Sequence, residues 1–197
     1  MSTVEIRPVT GIAVEPWLDE LAALRIQVFR DFPYLYAGSL DYERGYLDRY
    51  AQSDRSVFVL ALEFNRLVGA ATALPLVDAD EDFQQPFREA GRELDAVFYF
   101  GESVLLADYR GQGIGHRFFD LREQYAADFG FSRTAFCAVE RAADDPRRPA
   151  HYRSLEPFWQ DRGYRPLTGM KAAFEWTDVG ENAPSRKKLQ FWEHELG

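Results

Sequence analysis

Gly111, Gly113 and Gly115 stand at alternate positions after the apolar run Val104–Leu106 and before Phe118, Phe119, Leu121 and Tyr125, which recur at helical spacing. Glycine lets the backbone turn tightly and come close to a ligand with no Cβ in the way. A helix starting at such a loop aims its free N–H groups and the positive end of its dipole into the loop, which suits a phosphate. The stretch VLLADYRGQGIGHRFF therefore reads as a strand, a loop and a helix that together hold a pyrophosphate. Two common phosphate loops are excluded by spacing. A P-loop would continue with Gly-Lys-Ser/Thr, whereas Gly115 is followed by His116 and Arg117. A dinucleotide fingerprint needs G-x-G-x-x-G, and the spacing here is G-x-G-x-G. A bare strand-to-helix connection rarely needs three glycines so close together.

The pattern that does fit is Arg110-x-x-Gly113-x-Gly115, and with the strand before it and the helix after it the chain resembles the GNAT superfamily of acyl-CoA-dependent N-acyltransferases. The resemblance implies an α/β fold, a mixed central β-sheet flanked by helices on both faces, over a single N-acetyltransferase domain spanning residues 1–197. It implies that the strand ahead of the loop splays from its neighbour. Backbone N–H groups of Ser103, Val104, Leu105 and Leu106 would then serve the pantetheine arm and the thioester carbonyl, as fixed dipoles where negative charge develops. By the same resemblance Arg110, Gly111, Gln112, Gly113, Ile114, Gly115 and His116 hold the pyrophosphate of acetyl-CoA, which is the co-substrate. One departure is Ala107, which stands where the family often has proline.

Acyl transfer to nitrogen needs a neutral amine, yet an alkylammonium titrates near about 10.4. A carboxylate beside the thioester can take that proton. Glu102, just ahead of the presumed thioester amides, is the first candidate base, and Glu140, past the strand Thr134–Val139, is the second. An ion pair or a sheet-edge charge is the plainer role for each. The position of Glu102, eight residues before Arg110, has the wrong parity for a base on this strand, and a β-bulge would correct its direction. GNAT enzymes often protonate the leaving thiolate with a tyrosine in an L-Y-x-x-x-G-F pattern. Phe158–Tyr164 matches that stretch, with Trp159 at the tyrosine position, and an indole N–H gives up no proton near neutrality. His151 and Tyr152 are substitutes. Pro33–Gly38 is the expected wall of the acceptor pocket, so Tyr34, Tyr36, Tyr152 and Trp159 form the acceptor-binding set. Cys137 lies inside an apolar strand, where an inert thiol is the usual case. No His or Cys pair has metal-ligand spacing, so no metal is expected.

These groups need a scaffold, and the chain has one. Its 197 residues suffice for one domain with a sizeable core. A net charge of −9 argues against nucleic acid, whose phosphates demand a basic face. It is compatible with a cationic acceptor, although an acidic surface also serves solubility. The single cysteine rules out an internal disulfide. The opening MSTVEIRPVTG has no apolar signal core and no run spans a bilayer, which predicts a cytoplasmic protein. Periodicity predicts strands at Val4–Pro8, Val57–Phe64, Leu67–Pro75, Val97–Leu106, Thr134–Val139, Lys171–Trp176 and Lys188–His194. It predicts helices at Pro16–Phe32, Asp41–Tyr50, Asp82–Gly91, Gly115–Phe129 and Leu155–Arg162, with a hairpin turn at Asn65–Arg66. The acid-rich Asp78–Leu94 insertion reads as a lid, or else as a surface excursion or oligomer contact.

The sequence thus points to an N-acyltransferase that moves an acetyl group from acetyl-CoA to a small primary amine or amino acid derivative by direct attack in a ternary complex. The alternatives are a GNAT-fold module that binds acyl-CoA without turnover, and an acetyltransferase acting on a protein N-terminus or lysine. The implied partners are acetyl-CoA and the amine, with no nucleic acid and no membrane, and homodimerisation stays open.

Overall fold

The apolar runs become a seven-stranded sheet in a computed structural model that describes residues 4–197. The strands are β1 (Glu5–Thr10), β2 (Val57–Glu63), β3 (Arg66–Pro75), β4 (Val97–Leu105), β5 (Arg133–Val139), β6 (Arg165–Trp176) and β7 (Ser185–Glu195), in the order β1-β2-β3-β4-β5-β7-β6. Every neighbouring pair is antiparallel except β4 and β5, which run parallel. Helices α1 (Leu18–Phe29), α2 (Leu40–Gln52) and α3 (Glu81–Glu89) cover one face, where Leu21, Leu47 and Phe87 pack with Leu60, Tyr99 and Phe191. Helices α4 (Ile114–Asp128) and α5 (Glu156–Asp161) cover the other, where Phe118 and Phe119 pack with Phe98, Phe100 and Phe136. With both faces buried, β2 and β3 read as almost unbroken apolar runs rather than alternating ones. This is the expected mixed sheet between two helical layers. No helix among the described residues is long and apolar enough to cross a membrane.

Two irregularities build the site. The parallel pairing of β4 with β5 extends only from Val97↔Arg133 to Tyr99↔Ala135. Past Tyr99 the strands part, β4 staying with β3 to Leu105↔Gly69 and β5 with β7 to Val139↔Leu189. The second irregularity lies at the mouth of this gap, where Ala73 faces Phe100 but Ala71 faces Ser103. Thr72 therefore opposes both Gly101 and Glu102, which is a β-bulge. A Cβ built on Gly101 would lie 2.5 Å from the Tyr50 hydroxyl and 2.6 Å from Thr72 Oγ1, so glycine is required there.

Other departures from the sequence reading are local. The expected first helix splits into a 3-10 segment, Gly11–Trp17, holding Pro16, followed by α1, which stops at Phe29. The hairpin turn falls on Phe64 and Asn65, both at positive φ (49° and 61°), and Arg66 already belongs to β3. Two successive left-handed residues give the turn whose twist matches a hairpin. Helix α3 is neither lid nor surface excursion. Phe87 is fully buried against Phe191, and Phe83 packs 4.6 Å from Tyr99 and 4.8 Å from Phe174 between ring centroids. Strand β6 starts at Arg165, six residues earlier than expected, because a register shift between Pro166 and Lys171 masks its periodicity.

Candidate active site

The glycine loop forms a cradle of unused amides. Gly111 and Gly113 take positive φ values of 75° and 81°, and Gly113 caps α4 in the left-handed conformation. Among the described residues no backbone N–H from 111 to 116 finds a backbone acceptor, and the first engaged is that of Arg117, donating to Gly113 O at 3.3 Å. A Cβ built on Gly111 or Gly113 meets nothing within 4 Å, so the loop faces open space. Arg110 folds back, its Nε donating to Leu105 O at 3.1 Å, and Gln112 Nε2 donates to Asp108 O at 2.9 Å. Buried Ile114 anchors the first turn, while His116 sets its ring edge-on to Phe158, with centroids 4.8 Å apart.

The strand leading to the loop divides its amides between two sides. Leu106 N–H donates to Val68 O at 3.0 Å, so it is not free. Strand alternation then sends the Val104 N–H toward β3 as well and leaves those of Ser103 and Leu105 facing the gap. The expectation of four available amides is corrected to two, because every second N–H belongs to the sheet.

The bulge decides where Glu102 points. Gly101 and Glu102 are consecutive yet both face the α1–α2 layer, and the Glu102 carboxylate lies 2.6 Å from Arg25 Nη1. The parity objection to Glu102 is thus removed by the register shift. Arg25 also donates from Nε to Glu43, and its guanidinium lies 4.3 Å over the Tyr46 ring. Side-chain exposure is 2% for Glu102, 0% for Glu43 and 9% for Arg25. One guanidinium between two carboxylates leaves this buried cluster with an excess of one negative charge. Tyr36 lies against it, its hydroxyl pushed up first by burial and then by the hydrogen bond to Glu43. Tyr34 is tilted onto Phe29 at 4.5 Å and stacks on Trp176 at 6.1 Å. Burial and the neighbouring Cys137 thiol hold the Tyr34 hydroxyl in its neutral form.

The wall carrying Tyr34 is stapled in place. Arg141 donates to Pro33 O (2.7 Å), to Tyr34 O (2.6 Å) and through both terminal nitrogens to Asp178, which is 1% exposed. Trp176 Nε1 adds a bond to Tyr34 O at 3.2 Å, and Val179 N–H donates to Leu35 O.

Other residues singled out in the sequence fall elsewhere. Glu140 is 42% exposed at its side chain and pairs with Lys171 Nζ at 2.7 Å, a sheet-end ion pair. Trp159 lies on the opposite face of the sheet, its ring 4.9 Å from Phe136 and 5.3 Å from Trp192. Tyr152 packs edge-on against Phe32 at 4.7 Å, under Arg148, and shares no ring or hydrogen-bond contact with the Glu102 group. Cys137 is buried 3.3 Å from the Tyr99 hydroxyl, and burial pushes its thiol up to about 12. Two surface hollows, of about 440 and 350 Å³, lie at Arg49–Asp78 and at Gly163–Glu195, and neither is lined by a β4 or glycine-loop residue. The sequence reading missed Arg25, Glu43 and Arg122. Each interrupts an apolar helical stripe, as Arg25 does four residues after Leu21, and that interruption is the signal of a partnered buried charge.

Residues 21–155 match the model of the Acetyltransferase (GNAT) family, and the chain belongs to that family. Solved structures agree on the fold. An N-acetyltransferase from Staphylococcus aureus Mu50 superposes with a TM-score of 0.62 at 15% identity, over 100% of both chains. The ribosomal-protein-alanine N-acetyltransferase from Brucella melitensis gives 0.60 at 15% identity, over 98% of this chain and 99% of that one. An acetyltransferase of the GNAT family from Streptococcus pneumoniae gives 0.59 at 14% identity, over 99% and 100%. No curated protein matches the chain significantly. The family uses acetyl-CoA as co-substrate.

Proposed function

We propose that this chain is an acetyl-CoA-dependent N-acetyltransferase that acetylates a small primary amine directly, within a ternary complex, with Glu102 as the base. The observation that carries the reading is the bulge that turns the Glu102 carboxylate toward the α1–α2 layer beside the unpartnered edge of β4. Acetyl-CoA supplies the activated thioester, and the free amides of residues 111–116 suit its pyrophosphate. The amine enters as a cation. Glu102, directly or through one water, accepts a proton from it, and the freed lone pair bonds to the acetyl carbon as the carbon–sulfur bond breaks. The Ser103 and Leu105 amides are the donors for the carbonyl oxygen, where charge grows during attack. The excess negative charge of the Arg25–Glu43–Glu102 cluster favours a cationic acceptor. Trp159 has no proton to give, so coenzyme A departs as a thiolate, which takes through solvent the second proton that the acetylated nitrogen sheds as it becomes an amide.

Coenzyme binding is tested by Gly113→Asp. The new Cβ meets no protein atom, so the substitution acts mainly on the ligand, through like charge and through the strain of a left-handed residue at φ 81°. Acetyl-CoA affinity by calorimetry is expected to fall by at least about tenfold, or ~1.4 kcal/mol. Unchanged affinity in a folded variant removes the loop reading.

Turnover is tested by following acetyl-CoA consumption against a panel of small amines and peptides. Binding without consumption would make the chain a coenzyme-binding module, and consumption with peptides alone would move the acceptor to proteins. Initial rates with both substrates varied are expected to give intersecting double-reciprocal lines, with Cys137→Ala keeping its turnover. Parallel lines with acetylated Cys137 would replace direct transfer by a covalent intermediate.

A further inference from the structure

We propose that Arg122 is a positioning residue for the transfer: it locks the β4 bulge and polarises the Glu102–Ser103 peptide, so that the Ser103 N–H is a strengthened donor to the thioester carbonyl. This rests on the reading of the β4 amides given above. Arg122 comes from α4, on the opposite side of the sheet from Arg25, and is 1% exposed. Its Nη1 donates to Thr72 O at 3.2 Å and to Glu102 O at 3.1 Å, the carbonyls on the two strands of the bulge. Its Nη2 donates to Ser103 Oγ at 2.8 Å and its Nε to Phe118 O at 3.0 Å. The guanidinium lies 4.1 Å from the Phe100 ring and 4.9 Å from the Phe119 ring, and among the described residues it forms no ion pair.

Two consequences follow from this geometry. A bulge leaves carbonyls without ladder partners, and one guanidinium nitrogen, Nη1, donating to both Thr72 O and Glu102 O fixes the extra residue in one conformation. Gly101 and Glu102 are then held on the same face, which aims the carboxylate. The second consequence is electronic. Glu102 O and Ser103 N–H belong to one peptide unit, and a cationic donor at the oxygen draws density from the nitrogen. Hydrogen bonds in series strengthen one another by about 10–30% each. The Ser103 N–H faces the β4–β5 gap, so this gain is delivered where the thioester oxygen acquires charge. Burial lowers the Arg122 pKa to about 10, which still leaves it cationic at neutral pH. No carboxylate lies in contact with it among the described residues, although Glu102 and Glu123 are near enough to stabilise its charge.

The test uses Arg122→Lys, which keeps the charge but cannot span the same acceptors, beside Phe87→Leu as a destabilised control in α3. Acetyl-CoA labelled with ¹³C at the acetyl carbonyl is bound to each protein and its carbonyl stretch is read by difference infrared spectroscopy. In Arg122→Lys the stretch is expected to return toward its value in free solution, and kcat to fall roughly 10- to 100-fold, less than the loss of a whole oxyanion donor. Acceptor KM is expected to change little. Phe87→Leu is expected to lose stability yet keep the parent's stretch and kcat. If Arg122→Lys behaves like Phe87→Leu, Arg122 is only a packing residue and the proposal is overturned. A second measurement needs no variant. In ¹⁵N-labelled parent protein titrated with acetyl-CoA, the Ser103 amide proton is expected to move downfield more than that of Val104, and the reverse order overturns the proposal. Failure of the base reading shows separately: Glu102→Gln would keep its turnover while the Arg122→Lys carbonyl stretch still moved.

Discussion

Glu102→Gln is expected to lower turnover by roughly 10²–10⁴-fold while leaving acetyl-CoA affinity unchanged. The amide keeps the carboxylate's shape but offers no site for the acceptor's proton. The variant should fold, because Arg25 keeps its bond to Glu43 and the cluster becomes one cation with one anion. Removing the excess negative charge should also raise the acceptor KM for amines that arrive protonated. The acidic limb of the pH–rate profile, which reports protonation of the base, is expected to disappear. Initial rates across pH, paired with calorimetry, separate these effects. If Glu140→Gln gives that pattern instead, the base lies at the far end of β5, and its ion pair with Lys171 is the reservoir that must open.

How much of this was legible in the sequence depends on the range of the signal. The glycine loop and the helix behind it were readable because their cause is local: alternate glycines, then apolar residues at helical spacing. The strands of the central hairpin were readable for the same reason, to within one residue at the turn. The bulge at Gly101–Glu102 entered only as what the parity of Glu102 would require, because its cause is not local and lies in Thr72 on β3, in Tyr50 on α2 and in Arg122 on α4. Helix α3 was placed to within two residues with its role left open, and the packing of Phe83 and Phe87, four residues apart on one face, depends on partners far along the chain. Tyr34 and Tyr36 came out beside the Glu102 cluster, whereas Trp159 and Tyr152 did not. An α/β sheet separates residues by face, and motif order along the chain carries no record of which face is meant.

The residues missed share one property. Arg25, Glu43 and Arg122 are charged residues on otherwise apolar helical stripes, and each is at least nine-tenths buried. Such positions are costly to occupy without partners; Arg25 and Arg122 converge on the short stretch of β4 from Gly101 to Ser103, and Glu43 holds Arg25. Arg25 meets the Glu102 side chain from one face and Arg122 meets its backbone from the other. Helices on the two faces of the sheet thus hold one residue, Glu102, between two guanidinium groups, one on its carboxylate and one on its carbonyl. That is a stronger constraint on the geometry of Glu102 than the strand alone supplies.

Asp178→Asn is expected to be the most destabilising single change outside the core, at about 3–5 kcal/mol, the usual cost of breaking a buried ion pair from one side. Asp178 is 1% exposed and accepts from Arg141 and Arg147, with Lys187 Nζ at 3.1 Å. Burial alone would push its carboxyl up, but hydrogen bonds from Arg141, Lys187 and Arg147 outweigh that and hold it at about 2, below the ordinary 3.8. A depressed folded value means the contribution is present above the unfolded value and is lost as pH falls from about 4 toward 2. Thermal unfolding of the parent and the variant should therefore differ most at neutral pH, by roughly 2–4 °C per kcal/mol, and converge in acid. Arg141 also carries the Pro33 and Tyr34 carbonyls, so loss of its anchor frees the wall that holds Tyr34 and Tyr36. Acceptor KM is accordingly expected to rise in Asp178→Asn while acetyl-CoA affinity, set across the sheet at the glycine loop, stays at the parent value. Equal melting temperatures at neutral pH, or a gap that widens in acid, would show that the three cations find other partners and that Asp178 is not their anchor.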